Sequence, residues 1–389
     1  MTTRPGTNRD RGGDREGHRN GGNAYDVRRY RRGDERAFVD LYNEVWSAEK
    51  TTDWFDWRYR DNPYVEEVSM FVATHDDDVV ATAPFKTFRV RAGEETRLTC
   101  LCTDVLTDPA HRRKGLFART TERALADFAE RPPDERPAFL FNHANQFSRP
   151  GYEKMGWRYL SPQVRYNRLQ RAGSYVTDRV DGRLGRLGAT VATGLNRTYL
   201  GLRDRRADFD TDPFEVERRD EVPANAFAAC YEACRPDSVH VVYDEPFYEW
   251  RFAEPGNAPD AAYLVRRAGR PVAGLITHRT DDPRNDTTAV TVSHVTPAAG
   301  GPERVSALAA AFERLLVDYR HADLVRTANP LVPREILRAY GFAPDDRLPM
   351  SKLADPSGLM LGLRPLVEGE WDLNGRPIQG AEPSLWTLA

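Results

Sequence analysis

The sequence predicts an α/β (α+β) protein built as two tandem units of one fold, each a mixed sheet with helices on both faces. Three observations lead there. The chain has 389 residues, enough for two cores of ordinary domain size. Apolar runs of strand length alternate with amphipathic helical stretches, the pattern of sheets covered by helices. A block in the first half, Trp54-Phe-Asp-Trp57-Arg58-Tyr59, returns in the second as Phe247-Tyr-Glu-Trp250-Arg251-Phe252, the mark of an internal repeat.

Residues 1–23 have no large apolar side chain after Met1 and are rich in Gly, Arg and Asp, so a disordered tail is expected there. The first unit is expected over 24–170. Tyr25 to Tyr30 reads as a strand, and Gly33-Asp34-Glu35 opens a helix carrying Phe38, Leu41, Tyr42 and Trp46. Thr52-Asp53 caps a short helix from Trp54 to Tyr59. Alternating runs at 69–74 and 79–91, parted by Asp76-Asp77-Asp78, form a hairpin. A strand from Leu98 to Leu106, a helix from Leu116 to Glu130 and a short strand from Ala138 to Asn142 follow. A helix around Ser148 to Met155 and a closing strand from Trp157 to Leu169 complete the unit.

Residues 171–206 carry Val180, Leu184, Leu187, Val191, Leu195 and Tyr199 near helical spacing, interrupted by several glycines. They are expected to form a helical connector packed on one or both units, with a membrane-surface helix as the alternative. The second unit is expected over 207–354. Its hairpin runs from Ala261 through Gly269-Arg270 to His278, its motif strand from Thr288 to Thr296 and its helix from Arg304 to Tyr319. Tyr340-Gly341-Phe342 parallels Met155-Gly156-Trp157. Residues 355–389 form a Pro- and Gly-rich tail in which Trp371 and Trp386 favour packing back onto the body.

Composition excludes several classes. The 56 basic residues are balanced by 59 acidic ones, a net charge of −3, which predicts no nucleic-acid partner. No apolar run approaches a membrane span and no signal sequence is evident, so a cytoplasmic protein is expected. Cys100 and Cys102 share a strand face, Cys230 and Cys234 a helix face. Their spacing lacks a zinc knuckle, so buried reduced thiols and no metal are expected.

The chemistry concentrates in Thr107-Asp-Pro109-Ala-His-Arg112-Arg113-Lys114-Gly115-Leu116-Phe117. A strand runs into this loop and a helix leaves it. Gly115 lets the backbone approach a ligand, and the free amides and positive dipole end of the helix, with three consecutive cations, suit a pyrophosphate. A solvated basic helix start is the plainer alternative. About thirty residues on comes Asn145-x-x-Ser148-x-x-x-Tyr152-x-x-x-Gly156-Trp157.

Together the two segments resemble the GNAT superfamily of N-acetyltransferases, whose motifs read V-x-P-x-x-[RQ]-x-x-G-x-[GA] and N-x-x-A-x-x-x-Y-x-x-x-G-[FW]. Thr107 takes the Val place, Pro109, Arg112 and Gly115 match, and Phe117 departs from the usual Gly or Ala. Ser148 replaces Ala in the second motif. In the second unit Gly300 stands at the Arg112 position, Glu303 at Gly115 and Leu337 at Tyr152, so that copy is expected to be degenerate and to shape the acceptor site.

The resemblance implies an N-acyltransferase using acetyl-CoA as co-substrate, with a primary amine, small molecule or peptide, as acceptor. It implies that the amides of Arg113, Lys114, Gly115, Leu116 and Phe117, beside Arg112, hold the pyrophosphate. Leu106 and Thr107 would pair with the pantetheine through their main chain, Asn145 would hydrogen-bond it, and Tyr152 would be the general acid. Asn145 as a helix cap and Tyr152 as a packed aromatic are the structural alternatives. For the base, Asp104 lies on the motif strand, though strand parity puts it opposite Leu101 and Thr103; His143 is the other candidate, and ordered water a third. A cleft rimmed by Trp54, Trp57, Arg58 and the second unit is expected to take an amino sugar, aminoglycoside or peptide. The tandem layout also resembles enhanced-intracellular-survival acetyltransferases, without their third, sterol-carrier-like domain. Fem-type aminoacyltransferases using aminoacyl-tRNA, and a non-catalytic tandem binding module, are the competing functions.

Overall fold

The computed structural model describes residues 25–171, 183–282, 287–348, 350–352 and 356–389. The expected tail, 1–23, and the first part of the connector lie outside the described residues.

In the first half the elements are β1 (Asp26–Arg29), α1 (Asp34–Trp46), α2 (Thr52–Phe55, continuing as a π-helical turn Asp56–Arg60), β2 (Met70–His75), β3 (Asp78–Ala92) and β4 (Glu95–Cys102). After them come β5 (Leu106–Thr107), α3 (Leu116–Glu130), β6 (Pro137–Ala144), α4 (Arg149–Lys154), β7 (Arg158–Pro162) and β8 (Tyr166–Leu169). Local chemistry accounts for the boundaries. Thr51 rather than Thr52 caps α2, its hydroxyl accepting from the Trp54 amide. Asp76 and Asp77 take positive φ, as the tight β2–β3 turn requires. The expected strand Leu98 to Leu106 is two pieces, because Asp104 adopts φ 53° and breaks it.

The second half repeats the order: α5 (Arg183–Arg206) leads to β9 (Glu215–Arg219), α6 (Ala224–Ala233), β10 (His240–Val241) and α7 (Glu245–Arg251). β11 (Ala261–Arg267), β12 (Arg270–Asp282), β13 (Thr287–Thr296), α8 (Pro302–Asp318), β14 (Leu324–Thr327), α9 (Arg334–Ala339), β15 (Ala343–Pro344) and β16 (Met360–Pro365) follow.

Two large sheets result, besides a two-stranded ribbon at 372–377, and each borrows from the other half of the chain, the first taking β10 and β16 and the second β8. The first runs β1-β2-β3-β4-β6-β16-β7, with β5 and β10 also on β3; the second runs β15-β8-β14-β13-β12-β11-β9. β4 with β6 and β13 with β14 are the parallel pairs. β8, expected to continue the first unit, instead lies between β14 and β15. β16, from the expected tail, lies between β6 and β7. The closing strand Trp157 to Leu169 is thus broken at 163–165, and its two parts serve different sheets. Each sheet is complete only with the other half's strand, so neither 170 nor 355 separates self-sufficient pieces.

Around this exchange the halves share one core. The Trp57 indole donates to the Trp250 carbonyl and the Trp250 indole to the Trp57 carbonyl, both at 2.6 Å. These are the residues that the repeat equates, so the pair marks a local two-fold axis. Sheet one has two faces by strand alternation. Phe88, Leu101, Phe139 and Phe141 face the shared core with α1 and α2. Phe85, Cys100, Cys102, Leu140, Tyr152 and Trp157 face the other way, onto α3 and α4. α5 packs on the second sheet's end, where Asp204 takes both arms of Arg168 at 2.8 Å and Asn196 donates to the Leu169 carbonyl. Among the described residues no helix is long and apolar enough to cross a membrane.

Gly362 of β16 sits where a Cβ would come within 2.6 Å of Asn142 Oδ1 and 2.7 Å of the Tyr159 ring. Gly362→Ala should therefore cost about 1–3 kcal/mol by overpacking; an unchanged urea midpoint would contradict this placement of β16. Buried His294 shares a hydrogen bond between its Nε2 and the Tyr248 hydroxyl, 3.0 Å away, and burial pulls its pKa down to about 3. An imidazole near 6.5 in the unfolded chain binds a proton first as pH falls, so stability is lost between about 6.5 and 3. By pH 5 that amounts to about 2 kcal/mol from this residue. Urea titrations at pH 7.5 and 5 should show this loss reduced in His294→Gln.

Candidate functional site

The parallel register of β4 and β6 ends at Cys102↔Asn142. Beyond it β6 continues to Ala144 against β16, while the chain after β4 bulges at Thr103-Asp104-Val105 and re-forms as β5 on β3. The two strands part there, opening a wedge through the sheet. On one side of the wedge lies the loop before α3, on the other the space between the two halves.

The loop is built for an anion. Asp108 caps a short turn, Pro109–His111, its carboxylate accepting from the Ala110 amide. Arg113 then takes φ 61° and Gly115 φ 75°, so the backbone reverses and the amides ahead of α3 converge. Gly115 is the N-cap and has no side chain to satisfy the first-turn amides, which lack helical partners by geometry. A Cβ on Gly115 would meet nothing within 4 Å, so the space beside it is open. Arg112, Arg113 and Lys114 are exposed; the Arg112 guanidinium makes a long bond, 3.4 Å, to the Thr107 carbonyl. Leu116 is buried under the helix start.

Phe117 has a structural reason. Its ring meets the Tyr152 ring edge-on at 4.9 Å and occupies the space a Cβ on Gly151 would need. A small residue in the motif is exchanged here for a small residue on α4. Tyr152 is buried, beside Cys102, Asn142 and Trp157, and burial raises its pKa well above the usual value. It is a protonated phenol throughout the physiological range. Asn145 Oδ1 accepts from the amides of Phe147 and Ser148 in the turn ahead of α4, whose N-cap is Ser148, so only its Nδ2 is left to reach another molecule.

The second side of the wedge is a cleft of about 520 Å³ between the halves, lined by Leu101, Thr103 and His143 from the first sheet's inner face, and by residues of the second half. Asp104 does not obey strand parity. The bulge turns it to the Leu101 side, where its carboxylate accepts from Arg58 Nε at 2.6 Å and from the Tyr59 hydroxyl at 2.5 Å. Burial pushes its pKa up, but the charge and hydrogen bond of Arg58, with the Tyr59 bond, prevail and leave it below the ordinary range. His143 stacks on Trp386 at 4.8 Å, and burial brings its pKa down to about 3, so its ring is neutral; Nε2 has no hydrogen-bond partner among the described residues. The tail therefore contributes to the site, through Trp386 and through Leu359, Leu388 and Ala389 in the cleft wall.

Of the expected rim, Arg58 and the second unit line this cleft, and Trp54 and Trp57 do not. Trp54 is core, stacked on Phe38 and tilted against Tyr42, and Trp57 faces a separate interface hollow with Trp250. Lys86 of β3 and Arg251 of α7 were not among the expected site residues, yet both line the cleft. Lys86 could have been found, because a lysine inside an alternating apolar strand is out of pattern. In the second half the matching helix start is also glycine-capped, at Gly301, but its first turn carries Glu303, paired with Arg267, and Arg304 is spent on the Pro297 and Leu331 carbonyls. The thiols of Cys100, Cys102 and Cys230 are buried, Cys234 is exposed and none is bridged; no metal-binding group occurs among the described residues.

Comparison with known proteins agrees with this geometry. Residues 26–160 match the acetyltransferase (GNAT) domain family. Similar solved structures include a probable N-acyltransferase from Enterococcus faecalis V583, with a TM-score of 0.55 at 11% identity over 88% of this chain and 71% of that one. A GCN5-related N-acetyltransferase from Anabaena variabilis gives 0.55 at 8% identity over 88% and 73%. Saccharomyces cerevisiae N-myristoyltransferase with bound myristoyl-CoA gives 0.55 at 10% over 87% and 82%. At these identities the likeness is one of fold. None of the curated proteins matches the chain. The mixed α/β architecture, the two motifs and the family match together identify residues 26–160 as an acetyltransferase (GNAT) domain.

Proposed function

We propose that the protein is an acyl-CoA-dependent N-acyltransferase with one CoA site per chain, acetyl-CoA being the expected donor. The observation that carries this is the combination, at one point of the sheet, of the open Gly115-capped helix start and the parted strands β4 and β6. The pyrophosphate would lie on the amides of 113–117, with Arg112 and Lys114 alongside. The pantetheine would pass along Leu106 and Thr107, past Asn145 Nδ2, and through the wedge. That path delivers the thioester from the Tyr152 side of the sheet to the cleft.

In this scheme the amine, seated in the cleft, attacks the thioester carbon. The C–N bond forms, the C–S bond breaks, and Tyr152 donates its proton to the departing thiolate. A phenol whose pKa is raised by burial returns quickly to its protonated form. Asp104 is not the base: bound to Arg58 and Tyr59, it positions α2 over the cleft. The ammonium proton leaves through neutral His143, which lines the cleft, and on to solvent. His143 need only relay, because the cleft's positive charges already favour the neutral form of a bound amine. The second domain supplies the far wall of the acceptor site. The localisation expected from the sequence, cytoplasmic, fits the CoA requirement.

Calorimetric titration with CoA should show one site per chain. Gly115→Glu, which places a strained residue and a negative charge at the helix start, should abolish it. No binding at millimolar CoA would overturn the proposal. Tyr152→Phe should keep CoA affinity and lower acetylation of the best amine in a panel by about 10²-fold; full retained turnover would remove Tyr152 from the chemistry.

A further inference from the structure

Two cations of the interdomain cleft have no direct ionic partner among the described residues. Arg58 is paired with Asp104 at 2.6 Å. Glu254 is held by Lys50 at 3.0 Å, by the Trp54 indole at 3.2 Å and by Asn257 at 2.8 Å. These pairs are closed. Lys86 and Arg251, which also line the cleft, make no ion pair and no hydrogen bond among the described residues. Lys86 is only 4% exposed; its ammonium lies 5.8 Å from the Phe88 ring, and Asp104 and Glu254, both already paired, act on it only through space. Arg251 rests on Phe252 at 5.7 Å.

Two sequestered cations with no direct anionic partner are costly to keep. Their environment records that cost: burial, then the charges of Arg58 and Arg251, push the Lys86 pKa far down against the pull of Asp104 and Glu254, and burial with Arg58 brings Arg251 to about 10 against that of Glu254. A bound anion would reverse both effects. The two cations come from opposite halves of the chain, β3 and α7, and meet only because the domains are locked together. Lys86 is directly opposite Leu101 in the β3–β4 register, so it stands on the same sheet face as the wedge and His143.

We infer that the acceptor of this site is an amine that also carries a compact anion, a carboxylate or a phosphate, held by Lys86 and Arg251. The inference rests on the acyltransferase reading for the amine and on the cleft alone for the anion. It narrows the acceptors expected from sequence: polycations such as aminoglycosides would meet Lys86, Arg251 and Arg58 together. The anion anchors the molecule at one end and leaves its amine free to face the wedge, with Phe252, Leu359 and Leu388 around the intervening carbons.

The test follows thiol release from acetyl-CoA with paired amines that differ only in the anion. Free amino acids are set against their carboxamides, ethanolamine phosphate against ethanolamine, and spermidine serves as the polycation. At least ten-fold higher kcat/KM for the anionic member is expected, and the two pairs tell carboxylate from phosphate. Lys86→Met and Arg251→Met should each bring that ratio towards one with CoA affinity unchanged, and Lys86→Arg should restore most of it. Preference for the neutral or polycationic amine, or an unaltered ratio in both Met variants, would overturn the inference. If no amine in the panel turns over, N-acetylated amino acids and their carboxamides are titrated into the CoA-free protein and followed by thermal shift. Stabilisation by the acids alone, lost in Lys86→Met, supports the anion site, and equal or absent stabilisation overturns it. Because that arm needs no CoA, failure of CoA binding would sink the acyltransferase reading separately.

Discussion

Everything proposed for the site depends on the reciprocal lock between the two halves. Trp57 and Trp250 each donate an indole N–H to the other's backbone carbonyl inside the shared core. β8 and β16 cross in opposite directions to complete each other's sheets. A buried indole N–H left without an acceptor costs about 1–3 kcal/mol, so the tryptophan pair fixes the approach of the domains as well as filling space. Cross-strand hydrogen bonds then fix the register. The interdomain cleft is consequently a wall-to-wall feature of one folded body rather than a gap between mobile domains.

The lock also explains how duplication and division of labour coexist. The scaffold residues, the tryptophan pair and the paired hairpins, are kept in both halves because each is needed to close the other. The helix start is not under that constraint. Both starts are capped by a glycine beside open space, Gly115 and Gly301; the second differs in carrying Glu303 in its first turn and in committing Arg304 to backbone carbonyls. An acidic first turn opposes an anion, and a guanidinium committed to backbone carbonyls cannot serve one. The second domain is left to supply a wall and one cation, Arg251.

Much of this was legible in the sequence, and what was not has a physical cause. The motif loop, α3 and the two hairpins follow from local rules: glycine at positive φ, helical periodicity and tight-turn aspartates. The repeat identified Trp57 with Trp250 before either had a partner. The strand exchange was not legible, because β8 has the same alternating pattern whichever sheet it joins, and pairing partners are chosen by tertiary packing. Asp104 was misplaced by parity because a single left-handed residue resets the alternation. Lys86 and Arg251 lie in separate halves, so their meeting is a property of the domain interface, which periodicity within one strand or helix does not encode.

The central claim is that the loop before α3 and the wedge beyond Cys102 and Asn142 form a single CoA path, and that the second domain has none. Hydrogen–deuterium exchange with and without CoA tests it directly. Protection should appear in the amides of 106–107 and 113–117 and in the segment around Asn145, with the helix start at 301–304 unchanged. Protection at 301–304, or none at 113–117 with CoA present in excess, would contradict the account.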